Sequence, residues 1–125
     1  MFSHVMLGAD DLDASIKFYD ETLKALGHSA GKMDPKGRCF YRTDTGVFAL
    51  SKPINGAPAT GANGSTIGFL ATSETEVDAW HRAGCENGGT TCEDPPGYRE
   101  MPTGKLYLGY LTDPAGNKIC ALYRP

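Results

Sequence analysis

The stretch HVMLGADDLDASIKFYDETLKALG, His4 to Gly27, joins a short apolar run to a pattern with helical period. Val5 to Leu7 are apolar and are followed by Gly8 and the acidic pair Asp10 and Asp11. That order reads as a strand feeding a helix N-terminus, where either aspartate can accept from the free N–H groups of the first turn. Leu12, Ile16, Tyr19, Leu23 and Leu26 then recur at spacings of 4, 3, 4 and 3, so all five share one helical face. Gly27 ends the helix, because glycine takes the left-handed C′ conformation without steric cost.

C-terminal to this stretch, RCFYRTDTGVFALSKP reads as two strands, Arg38 to Arg42 and Val47 to Lys52, around a turn ending at Gly46. The aperiodic INGAPATGANGS is a loop long enough for a functional role. The same order then restarts. TIGFLA, Thr66 to Ala71, is a strand; SETE at Ser73 to Glu76 is a capping box; Val77, Trp80 and Ala83 stripe a second helix that NGG stops. EDPPGYREMPTG reads as an irregular loop, KLYLGYLTD as a strand, PAGN as a turn and KICALY as the closing strand. A shift of 62 residues lays His4 on Thr66, Val5 on Ile67, Leu7 on Phe69, Phe18 on Trp80 and Tyr19 on His81. With one more strand in each of GHSAGKM and GTTCED, the chain is a tandem βαβββ repeat.

The bulk numbers fit one α+β domain over residues 1–125, with module one at about 1–54 and module two at about 64–125. A net charge of −3 with scattered basic residues argues against nucleic acid or a polybasic membrane contact. No apolar run approaches the roughly 20 residues of a membrane span, and MFSHVMLGADD lacks a basic leader, so a cytoplasmic location is the expectation. Cys39, Cys85, Cys92 and Cys120 follow no zinc or redox spacing and are expected as reduced thiols.

The opening stretch, together with GYLTDPAGNKICALYRP at the end, resembles the vicinal oxygen chelate superfamily, which includes glyoxalase I, the bleomycin-resistance proteins, the fosfomycin-resistance enzymes and the extradiol dioxygenases. DPAGNKI is the most specific piece. The resemblance implies a glyoxalase-like fold in which two curved sheets form an open cup around a small-molecule ligand, and it implies a homodimer. In metal-dependent members a divalent ion on the cup floor chelates two neighbouring substrate oxygens and acts as a Lewis acid.

The resemblance assigns one ligand position on each of four strands. They fall on His4, Ala49, Thr66 and Cys120, where the family often has histidine or glutamine at the third and usually glutamate at the last. Alanine has no donor atom, and a thiol must lose its proton to bind well. Two mixed donors fall short of the three a site needs. The reading is therefore a pocket protein with a degenerate metal site, without a favoured cofactor, acting as a binding module or a lyase-like enzyme. The rival is a metal-dependent lyase or dioxygenase, of the lactoylglutathione-lyase type, acting on a hemithioacetal or a catechol. Sequestration of a cationic drug would favour an acidic groove, which the mild charge does not supply.

His4, Ser51, Thr66, Tyr98, Arg99, Tyr110 and Cys120 are the candidate ligand-binding residues. His4 reads as a hydrogen-bonded strand histidine in the cup more readily than as a metal ligand. Cys120 reads as a small buried hydrophobe, with Lys118 on the same strand face. PPGYREMPTGK combines an aromatic ring, the Arg99 fork and a carboxylate as binding loops do; the alternative is a solvated turn. Strand alternation sends Tyr107 and Tyr110 to opposite faces, one lining the cup and the other packing on a helix.

Overall fold

In the computed structural model, which describes residues 1–125, the chain runs β1 (His4–Gly8), α1 (Leu12–Ala25), β2 (Lys32–Met33), β3 (Cys39–Thr43) and β4 (Gly46–Ser51). The second half runs β5 (Ile67–Leu70), α2 (Glu74–Glu86), β6 (Thr90–Thr91), β7 (Gly97–Met101), β8 (Gly104–Thr112) and β9 (Lys118–Tyr123). Two open mixed sheets result. The first has the order β1-β4-β3-β2 and the second β5-β9-β8-β6, with β7 also paired to β8. In each sheet the strand before the helix lies parallel to the last strand of its module, β1 on β4 and β5 on β9. The tandem βαβββ repeat is thereby present in the fold, with β7 as one further strand in the second module.

Local chemistry sets the helix ends. The Asp11 carboxylate accepts from Ala14 N at 3.0 Å, satisfying one of the free donors of the first turn. Ser73 Oγ accepts from Glu76 N at 3.2 Å, the forward half of the capping box. The returning half differs from the simplest expectation, since Glu76 Oε2 accepts from Thr72 N at 2.7 Å, one residue before the cap. Gly27 has φ +86°, the left-handed conformation that relieves α1 of its last carbonyls.

EDPPGYREMPTG is not wholly irregular, which corrects the loop expectation. Gly97–Met101 forms a ladder with β8, from Gly97 opposite Leu108 to Met101 opposite Gly104. Pro95 and Pro96 stand just before it, so they withhold no N–H from the ladder, and the strand lies on the outer edge of β8, where proline and glycine are tolerated. The Gly/Pro density describes the approach to this strand, and only the partner β8 makes the strand itself.

One core joins both modules. Phe18, Tyr19 and Leu23 of α1, Val77 and Trp80 of α2, Phe48 and Leu50 of β4, Leu111 of β8, and Ile119 and Ala121 of β9 belong to a single buried cluster. Phe48 and Phe69 meet edge to face across the modules, 5.2 Å between ring centres. Helix α2 approaches closely only because residue 84 is glycine: a Cβ there would strike Leu111 Cδ1 and stand 3.2 Å from the Phe18 ring.

Because strand side chains alternate, whatever points into this core leaves its neighbours on the opposite face of each sheet. On the first sheet that helix-free face carries His4 and Met6 of β1, Val47, Ala49 and Ser51 of β4, and Phe40 and Arg42 of β3, as the register dictates. On the second it carries Leu106, Leu108, Cys120, Tyr110 and Leu122, which form a cluster of their own.

Candidate functional site

The two modules present equivalent positions on their helix-free faces. Ala49 lies opposite Met6, and Cys120 lies opposite Gly68. Met6 and Gly68 are 62 residues apart, the period of the sequence repeat. Cys120 is 6% exposed, and a Cβ on Gly68 would sit 3.3 Å from its Sγ. Burial pushes the Cys120 thiol up to about 11, with nearby Lys118 only partly offsetting the effect. Tyr110 pairs with Cys120 across β8 and β9, its ring 5.1 Å from Lys118 Nζ. Its phenol is raised above the ordinary value by desolvation first and by Cys120 second. Lys118 in turn pairs with Glu93 at 2.5 Å.

Arg99 points to this same face, since it pairs with Leu106. Its Nη2 donates to the Asp94 and Pro95 carbonyls at 3.1 and 3.0 Å, which ties the approach loop to β7. Thr66 stands exposed just before β5. Thr66, Arg99, Tyr110 and Cys120 therefore belong to the second sheet's helix-free side, while His4 and Ser51 belong to the first sheet. His4 is exposed, its Nδ1 2.9 Å from Ser3 Oγ. Ser51 Oγ donates to the Lys52 carbonyl at 2.9 Å.

Tyr98 stands apart from the other six candidates. It pairs with Tyr107, on the helix side of the second sheet, with the two rings edge to face at 5.1 Å. Its hydroxyl donates to Glu74 of α2, a bond that, with some desolvation, pushes the phenol up to about 12. Tyr107 donates to Asp78 at 2.8 Å. The expected split of Tyr107 and Tyr110 thus holds, with Tyr107 as the helix-packing member.

Two hollows went unread in the sequence. One, of about 390 Å3, lies between the modules, lined by Val5, Leu23, Leu26, Phe48, Ile67 and Phe69 together with Arg42, Val47, Gly68 and Leu70 from the helix-free faces. The other, of about 470 Å3, lies at the ends of β1 and β4 and is lined by Met6, Leu7, Gly8, Lys36, Arg38, Ser51, Lys52, Pro53 and Ile54. Ser51 was legible as a candidate from its strand. Lys36, Arg38 and Lys52 were not, because they come from a turn and two strand termini whose convergence no local pattern announces.

Paired βαβββ modules with helix-free sheet faces are the architecture of the glyoxalase-like fold, and sequence comparison agrees. The profile of the Glyoxalase/Bleomycin resistance protein/Dioxygenase superfamily matches residues 1–121. The chain belongs to that superfamily. A glyoxalase/bleomycin resistance protein from Albidiferax ferrireducens T118 is 58% identical, with 99% of each chain covered and a TM-score of 0.96. A lactoylglutathione lyase from Agrobacterium tumefaciens is 25% identical, with 98% of this chain and 92% of that chain covered and a TM-score of 0.67. A glyoxalase-related enzyme from Fulvimarina pelagi, 24% identical over 100% of this chain and 88% of its own, shares the fold at a TM-score of 0.75. No protein of curated function matches the sequence.

The divalent ion of metal-dependent members needs deprotonated or neutral donors in sufficient number. At the four matching positions the chain offers an exposed histidine, a methyl group, a hydroxyl and a thiol held protonated by burial. No group of three or more His, Cys, Asp or Glu side chains gathers where it could hold an ion. The residues present do not fit the metal.

The Cys120 environment gives a direct expectation. At about pH 8 a thiol titrating near 11 is ionised in about one molecule in a thousand. Iodoacetamide should therefore modify exposed Cys85 in the native protein at least tenfold faster than Cys120, as read by peptide mass spectrometry. Faster labelling at Cys120 would mean an activated thiolate.

Proposed function

We propose that this chain is a small-molecule pocket protein of the glyoxalase and bleomycin-resistance type that works without a bound metal, as a binding or sequestering module. One observation carries the reading: the four positions that the family resemblance assigns to metal ligands hold His4, Ala49, Thr66 and Cys120, a set that lacks the carboxylate and the third nitrogen or oxygen donor a Lewis-acid site requires. The site is the helix-free faces, with His4 and Ser51 from one sheet and Thr66, Arg99, Tyr110 and Cys120 from the other. A cup that uses both faces is completed by a second copy of the chain, so the working unit is a homodimer. Exposed apolar side chains on those faces support this, with Met6 39% and Leu70 72% accessible in the single chain.

Elemental analysis of protein purified without chelator tests the metal half of the reading, and the expected result is less than about a tenth of an equivalent of Zn, Ni, Mn or Fe, as suits a site short of ligands. A stoichiometric ion that disappears in His4→Ala would overturn it in favour of a metal-dependent lyase or dioxygenase. Sedimentation analysis tests the dimer, and a monomer at micromolar concentration would remove the shared cup.

A further inference from the structure

We propose that the hollow at the ends of β1 and β4 binds a small organic anion with an apolar body, its carboxylate or phosphate held by Lys36, Arg38 and Lys52. This deepens the pocket-protein reading and rests on it for the choice of a small molecule as occupant. The chain as a whole is negative, at −3, yet the residues lining this hollow of about 470 Å3 include three cations and no carboxylate. The volume is within the range of small-molecule sites. Neither Lys36 nor Lys52 has an ion-pair partner, since the chain's three salt bridges are Arg38–Asp34, Lys105–Glu100 and Lys118–Glu93.

Arg38 is positioned, not consumed. Asp34 Oδ2 accepts from its Nε at 2.7 Å and from its Nη2 at 2.5 Å, and its guanidinium carbon stands 5.2 Å from the Phe40 ring centre. Held from two sides, the planar fork gives up little rotamer freedom on binding, and its Nη1 makes no hydrogen bond within the chain. Asp34 is committed to this fork. The other nearby carboxylate, Asp13, borders an adjoining depression with Lys36 and Lys52 and makes no ion pair with either.

The apolar part of the ligand has its own surface. Met6 and Ile54 are among the exposed large hydrophobics of the chain, and Ile54 is fully accessible. Both line the hollow beside Pro53. Exposed apolar side chains set beside two unpaired lysines and the anchored Arg38 fork match an amphiphilic anion. They do not match a cationic ligand, which the unpaired lysines repel, or a neutral one, which leaves their charge unused.

Four probes of equal chain length separate these cases: octanoate, octyl phosphate, octanol and octylamine, titrated into the native protein by calorimetry and by backbone NMR. Octanoate or octyl phosphate should bind at least tenfold more tightly than octanol and octylamine and shift the amides of Met6, Ser51 and Ile54. The tighter of the two anions identifies the head group. Lys36→Glu with Lys52→Glu should weaken that binding at least tenfold with the Trp80 emission of the folded protein retained, while Lys105→Glu on the second sheet leaves it unchanged. Equal binding of octanol or octylamine, shifts centred on Tyr110 and Cys120, or indifference to the double charge reversal would overturn the assignment. Metal content is read separately, so a metal-loaded protein that still takes octanoate at Lys36 defeats the metal-free reading and leaves the anion site standing.

Discussion

Asp113→Ala should cost about 3 kcal/mol, because it strips several buried donors of their acceptor at once. Asp113 is 4% exposed. Its Oδ2 accepts from Tyr19 Oη at 2.7 Å and from Asn117 Nδ2 at 2.9 Å, and its Oδ1 accepts from Asn117 N at 2.8 Å and Ala115 N at 3.0 Å. Asn117 Nδ2 also reaches the Gly8 carbonyl at 3.3 Å. The DPAGN turn thereby ties the β8–β9 connection to α1 and to the end of β1, binding module two to module one. Burial first, and the neighbouring Asp113 second, hold the Tyr19 phenol well above its ordinary value, so it remains a donor at every working pH. Without the carboxylate, a fully buried hydroxyl has no acceptor. Urea unfolding followed by circular dichroism measures the loss. Tyr19→Phe removes donor and demand together and should cost about 1 kcal/mol, and Asp113→Ala costing no more than Tyr19→Phe would show that the turn network does not couple the modules.

Trp80→Ala is the larger loss, about 3–5 kcal/mol, as expected for emptying the space of a large core aromatic. Trp80 is wholly inaccessible, in the cluster that joins α2 to both sheets. For a chain of this size that corresponds to a fall of about 10–20 °C in Tm. Trp80 Nε1 is buried without an acceptor, so the wild-type protein gives up part of the gain from the ring. Trp80→Phe keeps most of the apolar contact and discards the unpaired N–H, and should lose less than half as much as Trp80→Ala. Equal losses for the two variants would place the stabilisation in the indole itself and not in filled volume.

Much of the fold was legible because its determinants are local. The spacing of Leu12, Ile16, Tyr19, Leu23 and Leu26, the Asp11 and Ser73 caps, and the short apolar runs GVFALS and KICALY bounded by turn residues each depend on near neighbours in the chain. The 62-residue repeat added topology to those elements. Local signals also misled where a partner decides: Gly97–Met101 is a strand because β8 offers an edge, a fact absent from its own composition.

The site divides along the same line. By itself the sequence determined the βαβββ repeat and the family, because helix period, caps and turn residues are set by near neighbours in the chain; His4, Ala49, Thr66 and Cys120 are the ligand positions that the family resemblance assigns. Only the tertiary structure decided that Tyr98 turns toward Glu74 and α2, that burial holds the Cys120 thiol protonated, and that Lys36, Arg38 and Lys52 converge beside Ser51. Those are properties of neighbours brought in from other elements. Desolvation, a distant carboxylate and a cluster of charges exist only once the strands are laid side by side, and a linear pattern carries no term for them.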